Sequence, residues 1–145
     1  MATINSFINR FNTEERLDND VVVVQNEIDF SVTNASADDV VQVLRIPDDA
    51  VVLETHVVVV VAEGGTATAD LGIAGDASST KGFDEAIDLN AAAGTVYSST
   101  KGTDAYAVGL RFTADGTIDL IPDNDLDTAK IKVFARYYNS NTTLI

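Results

Sequence analysis

From Val21 onward, apolar and polar residues alternate with the period of two that places successive side chains on opposite faces of a β-strand. Val22, Val24, Ile28, Phe30 and Val32 fall on one face, and Gln25, Glu27, Asp29 and Ser31 on the other. This predicts one long bent strand or a strand pair. Residues 34–39 supply turn chemistry, and residues 40–46 form a strand stopped by Pro47 and the acid pair Asp48, Asp49. Five consecutive valines, Val57 to Val61, follow; stiff β-branched side chains at this density fit a pleated strand, not a helix. The clearest strand is 130–138, where Ile131, Val133, Ala135 and Tyr137 alternate with Lys130, Lys132, Phe134, Arg136 and Tyr138.

Two turn signals predict hairpins whose loop length can be set by burial. Around Gly64-Gly65, a three-residue loop puts Val61, Val59 and Val57 opposite Ala69, Leu71 and Ile73, whereas a two-residue loop would oppose Val59 to Asp70. The longer loop is expected, with Val51 and Leu53 continuing the core stripe. Glu54, His56, Val58 and Val60 then point away from it, towards something that covers the two valines. Around Asp115-Gly116, a three-residue loop with Gly116 left-handed pairs Phe112 with Ile118, Leu110 with Leu120 and Arg111 with Asp119. Residues 74–104 are poor in β pattern. They carry SSTKGFD and SSTKGTD twenty residues apart, read as two related Ser/Gly loops, and a possible helical turn over 84–89. Short strands with antiparallel turn signals and no long helices predict an all-β protein. The expected fold is a single antiparallel β-sandwich, jelly-roll-like, over residues 21–145. It is preceded by an extended arm, residues 1–20, with scattered apolar residues Ile4, Phe7, Ile8, Phe11 and Leu17.

At 145 residues the chain suits one domain with a self-sufficient core, so no metal or disulfide is needed for folding. Zero Cys leaves the redox compartment unread. A net charge of -14 repels phosphate backbones and anionic lipid surfaces, arguing against nucleic-acid and membrane partners. The first twenty residues have no apolar run and carry acids, so no signal peptide is expected. No segment approaches the ~20 apolar residues of a membrane span.

Catalytic chemistry finds little to work with. His56 is the one imidazole, and there is no GxSxG, HExxH or thiol. Paired carboxylates would suffice for glycan hydrolysis, yet nothing in the pattern selects a pair. Asp123, Asp125 and Asp127 have the one-three-five spacing of a calcium loop, but Thr128 stands where that loop needs Gly and Phe134 where it needs Glu. A polar turn is the expected reading, with no enzyme activity and no cofactor. One feature exceeds that background: Lys130, Lys132 and Arg136 share a strand face with Phe134 and Tyr138, gathering 3 of 9 basic residues beside two aromatics. This composition suits a protein contact or a charge-protected edge. The expected interface is therefore this face or the Val58 and Val60 face, together with Phe7, Ile8 and Phe11 of the arm.

Across residues 39–138, the order VVQVLRIP, a valine strand, AEGGTATADLGIAG, GF, DLNAAAGT, ADGTIDLIP and LDTAKIKVFARYY resembles the capsid decoration or cement proteins of tailed bacteriophages, especially aquatic ones. Glu63, Gly64, Gly65, Ala69 and Asp70 match a hairpin of such proteins; Asp127, Thr128, Ala129 and Lys130 match the start of their last strand. The resemblance implies a β-rich virion subunit on the outer surface of the head. Such subunits commonly form trimers and bind the major capsid protein and copies of themselves to hold the shell against internal pressure. The alternative is a head-fibre or tail-associated module that recognises a glycan or receptor, for which only Tyr97, Tyr106, Tyr137 and Tyr138 and no Trp are at hand.

Overall fold

The computed structural model describes residues 21–73, 82–99 and 109–140. Among the described residues nine strands run β1 Val21–Asp29, β2 Val41–Ile46, β3 Ala50–Val61, β4 Thr68–Gly72, β5 Asp84–Asp88, β6 Val96–Ser98, β7 Leu110–Arg111, β8 Gly116–Pro122 and β9 Lys130–Asn139. They form two antiparallel sheets. One has the order β1-β9-β3-β6, with the short β7 also on β3; the other has the order β2-β8-β4-β5. The first strand lies beside the last and the second beside the last but one, while β3 pairs with β6 and β7, and β4 with β5. Nested pairs rolled into two facing sheets are the winding of a jelly roll. The expected all-β sandwich is the observed fold.

The core lies between the sheets. Val52, Val57 and Val59 of β3 and Ile131, Val133 and Ala135 of β9 face Leu44, Ile46, Ala69, Leu71, Ile87, Ile118 and Leu120 of the other sheet, all fully or almost fully buried. Phe30, Phe83, Leu89 and Leu126, from the connections, close its ends. Each of the Val, Leu, Ile and Phe side chains among them contributes roughly 1.5–3 kcal/mol through burial.

Both expected hairpins are corrected. The segments either side of Gly64-Gly65 lie in different sheets: β3 pairs with β9, whereas β4 pairs with β5 and β8. Val59 and Leu71 both face the core, but across the sandwich and not as ladder neighbours. Likewise Leu110 and Arg111 pair with Val52 and Val51, while residues 116–122 pair with β2 and β4. Alternation reports which residues face a core; it is blind to the sheet they face it from. Gly116 is not left-handed. A Cβ there would stand 3.1 Å from the Phe112 ring, so glycine permits a close approach and not a special φ.

β3 shifts register against β9 between Val52 and Glu54 and again between Val59 and Val61. The first bulge reverses the expected stripe: Val52 is buried while Val51 and Leu53 are half-buried, and the second leaves Val61 exposed. β1 ends at Asp29, whose carbonyl accepts from the amides of Val32 and Thr33, so Val32 turns outward to 79% exposure. Residues 84–88, expected to allow a helical turn, are β5. The Asp70 carboxylate accepts the amide of Ala86 (2.9 Å) and holds that alanine at φ 56°, in the left-handed region.

Glu63 joins the two crossovers. Its side chain is buried, and its carboxylate accepts the consecutive amides of Asp127 (3.3 Å), Thr128 (3.1 Å) and Ala129 (2.9 Å). Burial pushes its pKa up, but the three backbone donors outweigh this and hold the carboxyl below its ordinary value. The β3–β4 connection is thereby tied to the start of β9.

Candidate interaction face

The antiparallel register places the side chains of β1, β9 and β3 in rows across the outward face of their sheet. Val21, Tyr138 and Val51 form one row; Val23, Arg136 and Glu54 the next; then Gln25, Phe134 and His56; then Glu27, Lys132 and Val58, with Val96 of β6 beyond. Lys132, Phe134, Arg136 and Tyr138 therefore share one surface with Val58. What the sequence offered as two alternative interfaces is one face, because β9 lies beside β3. Val60, at the second bulge, continues it at the far end; Val58 and Val60 are half-buried and belong to neither the core nor the partly buried layer packed on it. The expected interface residues Phe7, Ile8 and Phe11 lie outside the described residues.

Several members of this face escaped the sequence reading. Val21, Val23 and Val96 are exposed by 51%, 61% and 55%, the first two on an edge strand in regular register with β9 over its whole length. No Lys, Pro or bulge blunts that edge within β1. The run Val21–Val24 was visible in the sequence, but its neighbours lie more than 100 positions away.

A depression of about 310 Å³ sits at the centre, walled by Val23, Val58 and Phe134 and by the cluster Glu54, His56 and Arg136. Arg136 Nε donates to Glu54 Oε2 (3.2 Å), and His56 Nε2 lies 3.3 Å from the same oxygen. Partial burial raises the Glu54 carboxyl, but the Arg136 and His56 hydrogen bonds together bring it below its ordinary value. His56 thus neighbours a carboxylate that Arg136 already engages, on a shallow surface. At the start of β9, Lys130 Nζ stands 3.9 Å from Asp29 Oδ2. The Ser31 hydroxyl, which donates to Asp29 Oδ1 (2.6 Å), is the main reason that carboxyl is held down.

The other candidate chemistry disperses. Asp123 Oδ2 accepts from the Thr68 hydroxyl (2.8 Å), Asp125 Oδ1 from the Ala37 amide (2.9 Å) and Asp127 Oδ1 from the Thr128 hydroxyl (2.9 Å). The three carboxylates fasten three separate segments, and no group of three or more potential metal ligands gathers among the described residues. Tyr97 and Tyr137 pack against the core, burial raising the Tyr137 phenol; Tyr138 points outward, and Tyr106 lies outside the described residues. The two SSTKG segments lie mostly outside them as well. A larger open groove, about 990 Å³, runs between β1 and β2, where the Asn26 amide donates to the Val43 carbonyl (3.0 Å) and partly closes the gap.

No protein-family model and no curated protein matches the chain. Its fold is shared with chains in three solved phage particles. A chain of the acidic stable capsid of Helicobacter pylori bacteriophage KHP30 is 14% identical, with a TM-score of 0.62 over 88% of this chain and 95% of that one. A chain of the capsid of Ralstonia phage GP4 is 19% identical, with a TM-score of 0.62 over 83% and 84%. A chain of the cyanophage Pam1 capsid asymmetric unit is 16% identical, with a TM-score of 0.63 over 94% and 97%.

Proposed function

We propose that this protein is a structural subunit of a phage virion, of the decoration or cement type. It docks on the outer surface of the head against the major capsid protein and copies of itself, in trimers, and performs no catalysis. The observation that carries the reading is the set of outward valines, Val21, Val23, Val58 and Val96, that share one sheet face with Phe134 on a fold shared, over 83–94% of this chain, with chains of three phage capsids. Outward valines on a sheet face, around a depression that is open to solvent, offer area for a protein partner.

The mechanism is additive burial. Each contact removes apolar surface from water at ~25 cal/mol per Å², less the costs of association, and symmetry multiplies a weak contact over many copies. Lys132 and Arg136 set register against acidic groups of the partner, while the net charge of -14 keeps DNA and anionic polymers unattracted. The test is to add purified protein to heads assembled without it. Saturable binding and greater resistance of the heads to heat are expected; heads that bind none of it would end the proposal.

A further inference from the structure

An antiparallel ladder turns the backbone groups of alternate residues towards its partner strand and those of the residues between them away from it. In β1 the parity is fixed by the next residue of the chain after the strand: the Phe30 amide donates to the Ala129 carbonyl (2.8 Å), in the register that also pairs Ile28 with Ile131 and Val22 with Tyr137. The even-numbered residues of β1 therefore bond β9. The N–H and C=O groups of Val21, Val23, Gln25, Glu27 and Asp29 point off the sheet. Asp29 is already engaged, its carbonyl accepting from the amides of Val32 and Thr33. Among the described residues, no hydrogen bond takes up the outward backbone groups of the other four. The nearby β2 is linked to β1 through the Asn26 side chain instead. Val21, Val22 and Val23 are 51%, 40% and 61% exposed, so this open edge is apolar on both faces of the sheet.

We propose that this edge pairs with the same edge of a second copy, β1 against β1, antiparallel about a two-fold axis through Val24. In that register Val21 lies opposite the second copy's Glu27 and Val23 opposite its Gln25, and the reverse. Each facing pair exchanges two hydrogen bonds, so the pairing takes up every open group on both edges and asks for none from Asp29. Moving the axis loses this match. Centred on Val23, the edges leave Glu27 without a partner among the described residues; centred on Gln25, they call on the Asp29 carbonyl that the following turn already uses. The charges agree with the same register. The two Glu27 carboxylates stand about 20 Å apart at opposite ends of the seam, so no like charges face each other across it despite the net charge of -14. On the inward side Val24 meets Val24 of the second copy, beside the groove that a single subunit leaves open between β1 and β2. The pairing also joins the outward valine faces of the two copies into one surface. The inference goes beyond the proposed function, because it names a two-fold contact between copies that neither a trimer nor docking on the head requires.

Amide exchange in the full-length, unaltered protein reads the edge directly. Exchange at Val23, Gln25 and Glu27 should slow at least about tenfold as the protein is concentrated, while Val24 and Asn26, bonded to β9, stay protected throughout. The chain has no cysteine, so single substitutions read the register. Val24→Cys puts two thiols at the axis with Cα atoms about 4.5 Å apart, within the span of a disulfide, whereas Val22→Cys holds them about 14 Å apart along the seam. In a glutathione buffer Val24→Cys should form the linked dimer at least about tenfold faster than Val22→Cys. Gln25→Pro removes one outward N–H and no bond to β9, so it should abolish the concentration-dependent protection at Val23 and leave the fold intact. Exchange at Val23 and Gln25 that is fast at every concentration overturns the proposal and leaves the edge to a different protein. Linkage of Val22→Cys as fast as that of Val24→Cys overturns it too. Heads are absent from these measurements, so failure here leaves docking to its own test, and failed docking leaves the pairing standing.

Discussion

The two sheets of this sandwich share one core, yet their outward faces differ in how much apolar surface they carry. Sheet β1-β9-β3-β6 presents valines and Phe134 around a compact Glu54–His56–Arg136 cluster. Sheet β2-β8-β4-β5 presents Gln42, Arg45, Thr68, Asp70, Asp88 and Thr117, with Asp119 buried beneath and Ile121 the apolar exception. Several of these polar groups are tied to one another or to backbone, as when the Thr117 hydroxyl donates to Asp119 Oδ1 (2.7 Å) and Asp70 accepts the Ala86 amide. A fold that needed only solubility would treat both faces alike. The proposed function assigns the docking role to the valine-bearing face.

The largest expected effect tests what keeps the faces fixed relative to each other. Glu63→Ala removes the acceptor of three consecutive amides at the crossovers and should cost about 2–4 kcal/mol, a fall in Tm of about 5–15 °C for a chain of this length. A fall of a degree or two would show that the tie is dispensable.

Next comes the acid limb of the stability curve. Because the native Glu63 pKa is lowered, the stabilisation it contributes is complete above the unfolded carboxyl value of about 4.3 and is lost as pH falls through the lower native value. Glu63→Gln should therefore be less stable than wild type at neutral pH and show a flatter decline below about pH 4.5 in denaturant titrations. Parallel curves would remove Glu63 from the acid response.

A smaller effect sharpens the contrast between the faces directly. Reversing Lys132 and Arg136 together to Glu should weaken self-association about tenfold in sedimentation velocity. The monomer's Tm should drop only slightly, since the Arg136–Glu54 pair is partly exposed and worth less than about 1 kcal/mol. An unchanged oligomer would take the basic residues out of the interface.

Smallest of all, Ala86→Gly on the polar sheet relieves a left-handed alanine and should gain about 0.5–1 kcal/mol. A loss would mean that the alanine methyl makes a contact worth more than its strain.

How much of this was legible depended on distance along the chain. Strand β9 was readable in full because its alternation is local, and β2 because Pro47 and its acid pair end it. The partners of each strand were not. The three-residue loop at Gly64-Gly65 was chosen because it put apolar residues together, and a crossover between sheets satisfies that condition as well as a hairpin does. The bulges in β3 shift the faces by one residue within a run of valines, where neighbouring side chains are chemically identical and carry no phase. β5 was lost because its shape comes from Asp70, a residue of another strand. The candidate face suffered in the same way. Val58 and Lys132 were both singled out, but their adjacency is a property of the β3–β9 pairing. Glu63 and the run Asp127–Ala129 stood out as separate fold markers, and the structure makes them one contact.

The most direct test places the same residue on each face. Val58→Lys and Gln42→Lys, both purified as folded protein, are titrated onto heads that lack the subunit, and bound protein is measured by co-sedimentation. Val58→Lys should bind at least about tenfold more weakly than wild type, while Gln42→Lys binds as wild type does. Equal binding by the two variants, or a greater loss with Gln42→Lys, would contradict the assignment of the valine face as the docking surface.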